Sequence, residues 1–507
     1  MSDHCNASPT ITAEFDAPDR HHAASAAGQL SRRGFLKSSV SLVNSGAAVQ
    51  MLPRSAVAQG GGASQPDPEL TRLQGQQRIL LKGGVVLTLD RQVGDFAQAD
   101  MLIENGKISA VGPNIEASAE AAAVIDAANH ILIPGFVDTH SHSYQGILRG
   151  IMTNGALDPD YNRDVQTKLT PAFQPADVYA GVMMTALGLI DMGTTAIVDL
   201  SQISHTPEHS DACIRALQDS GVRAVYAYAR GLGPATRYPQ DILRLQRAYF
   251  SATDQLLTLA LGVGLDAKAF GVARDAGIPI VLHMRNDSAG LLALGRAGLL
   301  RPGDEYIHCT NLSGDAWRLI RDTGGRVSLC PQIEMSMGHG MPAVQDALDH
   351  GLRPSLSSDH SVTIAPDFFT VMRTVFTFQR MQIFARARSG AQDLPLLTCR
   401  EVLEFATIEG ARCANLDGRI GTLTPGKEAD IVMLRADRVN LWPLNNAPGT
   451  VVNLMNPGNV DTVFIAGRVR KWRGNLVGVD LPRLMRMAEE ARAAVTRRAG
   501  FSVNFLA

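Results

Sequence analysis

The sequence predicts an α/β fold: a parallel (β/α)8 barrel of the TIM type, with a small β-sandwich built from both flanks of the chain. Three observations carry this. Through the middle of the chain, eight short apolar runs alternate with segments of helical apolar spacing. The two flanks instead carry short strand-like runs punctuated by Gly turns. Several of the eight central runs also end in histidine or aspartate, at the end of a barrel strand where functional groups gather.

The 507 residues exceed what one core usually holds, which suits a barrel with an appended domain. A hydrophobic share of 45% and a charged share of 19% are those of a folded chain rather than a disordered one. With a formal net charge of -2, nothing favours nucleic acid or an acidic membrane surface as partner. No apolar run reaches transmembrane length. The six cysteines (Cys5, Cys213, Cys309, Cys330, Cys399, Cys413) lack C-x-x-C spacing and read as ordinary thiols.

Residues 1–58 read as an export signal. Ser31-Arg32-Arg33-Gly34-Phe35-Leu36-Lys37 matches the twin-arginine pattern S-R-R-x-F-L-K. A mildly apolar segment to Leu52 and a small-x-small site, Ala56-Val57-Ala58, follow. The expected partner is the twin-arginine export machinery, and the expected location is the bacterial periplasm or the outside of the cell. Residues 59–77 form a linker rich in Gly, Ser and Pro towards its start.

The first part of the sandwich is expected over 78–134. Ile79 to Thr88 and Ala99 to Ile108 are strand-like, and Glu104-Asn105-Gly106-Lys107 carries an N-G hairpin turn. A third run, Ala123 to Asp126, follows, and these short strands are expected to be antiparallel. Partner strands are expected over 415–480: Gly421 to Leu423, Ala429 to Leu434 and Val460 to Val469, with a turn at Gly467. The barrel, 135–414, is inserted between them. Its strands are expected at Gly135–Asp138, Thr195–Asp199, Ala224–Tyr228, Leu257–Gly262, Pro279–His283, Glu305–His308, Arg326–Cys330 and Pro354–Ser357. Helices are expected at Ala176–Met192 and Ser210–Ser220. Residues 481–507 carry one apolar helix face (Leu484, Met487, Ala488, Ala491, Val495), expected to dock on the barrel.

Reading the strand ends gives His140 and His142 at the first strand, His283 at the fifth, His308 at the sixth and Asp359 at the eighth. Two histidines spaced H-x-H on a strand project to one side. Each of the five has a bland alternative, a satisfied core histidine or a helix cap, and only the shared position at strand ends outweighs it. Three imidazoles and a carboxylate suit a divalent metal, zinc or ferrous iron, with a position open to water.

Here the chain resembles a known family. P-G-F-V-D-T-H-S-H, the strand ending in His283, I-H-C-T-N-L, the S-S-D at the eighth strand and P-G-K-E-A-D-I-V are similar to motifs of the amidohydrolase superfamily. Within it the chain looks most like the chlorotriazine hydrolase and S-adenosylhomocysteine/cytosine deaminase branch. The resemblance spans roughly Arg78 to Val479. It implies a metal-dependent barrel flanked by a β-sandwich. His140, His142, His283 and Asp359 are implied as ligands of one metal ion, zinc before iron. His308 is implied to hold the attacking water or the substrate, and Gln145 to contact substrate.

One departure stands out. Deaminases of this branch carry H-x-x-E at the fifth strand, whereas this segment reads His283-Met284-Arg285-Asn286. Asparagine cannot donate and recover a proton near neutral pH, although it can hydrogen-bond a substrate carbonyl. Glu334, after the seventh strand, is another carboxylate expected to reach the site and bind substrate, with a solvated loop glutamate as the equal alternative. In the expected mechanism, Asp359 takes the proton of the attacking water and passes it to the leaving nitrogen, while His308 steadies the developing oxyanion. The expected activity is hydrolysis of a C–N bond (amide, cyclic amide or amidine-type) in a small heterocyclic or aromatic substrate. Deamination or dechlorination of a triazine-like ring is the second reading. A periplasmic binding protein without turnover is the third. Residues 143–175 and the loop with Met335, Met337 and His339 are expected to shape the pocket. A homo-oligomer is compatible with the sequence, which leaves oligomeric state open.

Overall fold

Each barrel run is apolar nearly throughout, as strands covered on both faces must be, and each becomes a strand. In the computed structural model, which describes residues 67–116, 122–252, 254–392 and 395–506, the barrel strands are Phe136–Ser141, Thr194–Ser204, Arg223–Arg230, Leu257–Val263, Ile280–Arg285, Glu305–Thr310, Arg326–Leu329 and Ser355–Leu356. The signal 1–58 and residues 59–66 of the linker lie outside the described residues. The eight strands pair in chain order, each parallel to the next. The ends of the sheet meet through a parallel bridge between Ser141 and Asp359.

The two expected helices form at Pro175–Asp191 and Pro207–Ser220. Pro175 opens the first at a position where its missing N–H costs nothing, and Gln174 and Asp177 cap it reciprocally. Gly221, at φ +70°, ends the second in a left-handed cap. The C-terminal helix, Leu481–Arg498, buries Leu484, Ala491 and Val495. It packs on helix Pro175–Asp191 of the barrel, where Arg498 pairs with Asp177 and donates to the Ala172 carbonyl at 2.7 Å. Among the described residues, no helix is long and apolar enough to cross a membrane.

Both flanks do join in one sheet of nine strands, with its own core around Leu81, Met101, Ile125, Met433 and Phe464. The N-G turn forms as expected, with Asn105 at φ +49° and Gly106 at φ +79°. Two details differ from the expectation. The pairing is mixed: Arg78–Val86 runs parallel to both Ala123–Asp126 and His130–Pro134, because the hairpin Phe96–Gly112 intervenes as a crossover. Gly421–Leu423 is not a strand. Gly421 turns at φ +93°, and the Leu423 amide donates to Thr88 O at 2.9 Å outside any ladder.

One buried ion cluster links barrel to sheet. Arg223, at the start of the third barrel strand, is fully buried. It donates from Nε and Nη2 to Asp430 at 2.9 and 2.8 Å, and from Nη2 to Glu428 at 2.6 Å. The E-A-D of the P-G-K-E-A-D-I-V motif is therefore a fastening.

Candidate metal centre

Local backbone geometry brings the strand-end groups together. The Asp359 amide donates to His140 O at 2.8 Å, and the His142 amide donates to Asp359 O at 2.7 Å, so the carboxylate is pinned between the two histidines. Asp359 takes φ +61° and His308 φ +68°, a left-handed conformation costly for side-chain-bearing residues and concentrated at functional sites. Asp138, two residues before His140, braces the closure from below. Its Oδ1 accepts from the Ser358 amide at 2.9 Å, and its Oδ2 from the Ser358 hydroxyl.

The ring atoms converge. His140 Nε2 lies 3.2 Å from His283 Nε2 and 3.3 Å from Asp359 Oδ1, while His142 Nε2 lies 3.4 Å from the same oxygen. Ligand atoms of His140, His142 and His283 all lie within 4.8 Å of one another, as do those of His140, His308 and Asp359. Burial, then the neighbouring His140, lowers the His142 pKa to about 3, and burial holds His283 well below its usual value, so both rings are neutral. Burial pushes the Asp359 carboxyl up, but His360 and His140 more than reverse this and keep it ionised.

This set fits a cation on one specific ground. The His142 Nδ1–H donates to the Leu200 carbonyl at 3.0 Å, so its Nε2 carries a bare lone pair. That lone pair faces a carboxylate oxygen at 3.4 Å. Two acceptors so close repel unless a positive charge lies between them. Three imidazole nitrogens and one carboxylate are a donor set typical of zinc or ferrous iron.

The other expected residues divide. Glu334 is fully buried behind His308, with Oε1 3.2 Å from His308 Nδ1 and accepting from the Cys330 amide at 2.9 Å. Burial lifts its carboxyl to about 8. Gln145 is buried too: its Nε2 donates to the Tyr144 and Tyr161 hydroxyls at 3.0 and 2.8 Å, and its Oε1 has no partner among the described residues. Asn286 stands exposed on the rim at φ +55°, with its Oδ1 accepting from Asn311 Nδ2 at 2.7 Å. The 143–175 insertion does cross the barrel mouth: Gly150 and Met152 bond to Ser361 and Val362, and Leu157 to Met337. Arg149 turns away to the Met184 carbonyl.

Two histidines of the mouth, His339 and His360, gain places. The His339 ring lies 4.8 Å from that of His308 with both nitrogens unpaired among the described residues, and His360 stacks on Tyr161 at 5.1 Å. A second triad, His308, Cys330 and Glu334, also clusters. Burial keeps the Cys330 thiol and the Glu334 carboxyl protonated, so this triad makes a poor cation seat. Asp138, the Leu200 carbonyl and Arg285 were missed from sequence. For Asp138 and Arg285 the signal was available, since each lies two residues from a strand-end histidine.

A parallel barrel whose catalytic end gathers imidazoles around one carboxylate defines a metal-dependent hydrolase. The comparisons with known proteins agree. The chain belongs to the amidohydrolase family, whose model matches residues 131–470. It is 25% identical over 429 residues to the 5-methylthioadenosine/S-adenosylhomocysteine deaminase of Caldicellulosiruptor saccharolyticus, covering 79% of this chain and 95% of that protein. It is 26% identical over 448 residues to the 5'-deoxyadenosine deaminase of Methanothermobacter thermautotrophicus, covering 83% and 99%. Among solved structures, an adenosine deaminase from Xanthomonas campestris with bound zinc superposes with a TM-score of 0.72 at 20% identity, covering 83% of this chain and 98% of that one. An atrazine chlorohydrolase from Arthrobacter aurescens complexed with zinc does so with a TM-score of 0.72 at 21% identity, covering 82% and 100%. The protein is a hydrolase acting on carbon–nitrogen bonds.

Proposed function

We propose that the protein hydrolyses an amide, cyclic amide or amidine-type C–N bond in a small heterocyclic or aromatic substrate, with zinc held by His140, His142, His283 and Asp359. The observation that carries this reading is Asn286. Where the deaminase motif places a glutamate, this chain has an exposed amide hydrogen-bonded to Asn311, and the following Asp287 is turned to cap a helix at the Gly290 amide. Asp359 then carries the protons itself. Ring deamination, the second reading, is favoured by the names of the relatives above. The paired presence of Asp359 and His308 at one mouth speaks against a binder without turnover.

The bound ion supplies Lewis acidity towards water and substrate. Asp359 takes the proton of the attacking water and delivers it to the leaving nitrogen. His308 Nε2, 3.8 Å from Asp359 Oδ2, faces the same space. Near neutral pH the Glu334 carboxyl holds its proton, and its Oε1, which accepts from the Cys330 amide, accepts from His308 Nδ1–H as well, which fixes the ring with Nε2 free to hold the attacking water. Gln145 Oε1, unpaired among the described residues, is the atom of that side chain left to accept from a substrate donor.

Two measurements follow. Zinc-loaded protein offered aryl amides, cyclic amides and amino-substituted purines and pyrimidines is expected to open or deacylate the amides about tenfold faster than it releases ammonia from the rings. The reverse order would favour the deaminase reading. Glu334→Gln, which keeps a neutral carbonyl oxygen to accept from the Cys330 amide and His308 Nδ1, is expected to stay within about threefold of wild type. Glu334→Leu is expected to lose about 10- to 100-fold in turnover. Equal losses in both variants would contradict the orienting role of Glu334.

The export reading rests on Ser31–Lys37 and Ala56-Val57-Ala58, and it places the mature protein in the periplasm or outside the cell. N-terminal sequencing of the protein from its own host is expected to begin just after Ala58. An intact Met1 terminus would refute export.

A further inference from the structure

Arg285 is an unused cation beside the site. It ends the fifth barrel strand two residues after His283, so strand alternation turns both side chains to the same side, into the barrel mouth. The partner strand bulges here: Met284 pairs with His308 but Arg285 with Thr310. The bulge falls on His308 and Cys309, both at positive φ, and leaves the alternation of the fifth strand intact. Arg285 is half-buried, and among the described residues no carboxylate or carbonyl pairs with it.

The rim around it is rich in donors. The Asn286 carbonyl oxygen is occupied by Asn311, which leaves that amide N–H groups to offer. Asp287 is withdrawn into its helix cap. An isolated guanidinium at a site mouth carries a desolvation cost that a complementary anion would offset. One planar fork with a single positive charge matches a singly charged carboxylate through two parallel N–H···O bonds.

We infer that Arg285 determines specificity by binding a carboxylate on the substrate, so that the C–N bond hydrolysed belongs to an anionic amide or heterocycle. This rests on the C–N hydrolase reading above but is tested apart from it. Benzoate and benzamide, titrated calorimetrically into zinc-loaded full-length protein, serve as probes. Wild type is expected to bind benzoate about tenfold or more tightly than benzamide. Arg285→Met is expected to abolish that preference, and Arg285→Lys to keep part of it. If Arg285→Met binds benzoate as wild type does, the carboxylate sits on the metal alone and the inference falls. It falls equally if folded wild type shows no preference. Circular dichroism of each variant checks that it is folded. Because binding is read without turnover, a failure to hydrolyse any amide would count against the activity and not against Arg285.

Discussion

Replacing Asp359 with asparagine is expected to lower kcat/KM by a factor on the order of 10³ while the fold survives. The substitution is nearly isosteric, and asparagine tolerates the φ of +61° as well as aspartate does. The backbone bonds to His140 and His142 also remain available. What disappears is chemical. The charge that faces the Nε2 atoms of His140 and His142 at 3.3 and 3.4 Å is lost, and an amide cannot take up the proton of the attacking water. Steady-state kinetics on the best amide substrate, with circular dichroism of the variant, reads the result. A loss smaller than tenfold would remove Asp359 from the proton path.

Arg223→Leu carries the largest expected effect on stability, a loss of about 3–5 kcal/mol in urea or guanidinium titrations. The side chain is fully buried and has Asp430 and Glu428 as partners. Leucine fills much of the volume but leaves Asp430 buried without its counter-charge. Asp430 also accepts from the Ala466 amide at 2.8 Å, so the damage spreads into the mixed sheet. A change below 1 kcal/mol would mean that barrel and sheet hold together without this cluster.

Much of this was legible in the sequence, for physical reasons that differ from element to element. The barrel strands are covered on both faces and therefore read as apolar runs, such as Ala224–Tyr228 and Leu257–Gly262. The strand ends carried His140, His142, His283, His308 and Asp359, and the fold closes by bonding Asp359 to the backbone of the first two. The parallel pairing of Arg78–Val86 was not legible, because the run alone does not say which neighbour lies beside it. Nor was the place of Glu334. Its chain position after the seventh strand suggested a loop carboxylate, and only the short helix Pro331–Ser336 turns it inward behind His308. Asn286 was legible as a departure from the motif, whereas its exposed place on the rim depends on its left-handed backbone and on Asn311.

Metal content per chain of the purified protein, measured by plasma mass spectrometry without added metal, tests the four-ligand centre most directly. About one equivalent of zinc is expected, lost on His142→Ala or His283→Ala together with turnover. A folded protein that stays metal-free and cannot be loaded would contradict the centre and every catalytic role assigned around it.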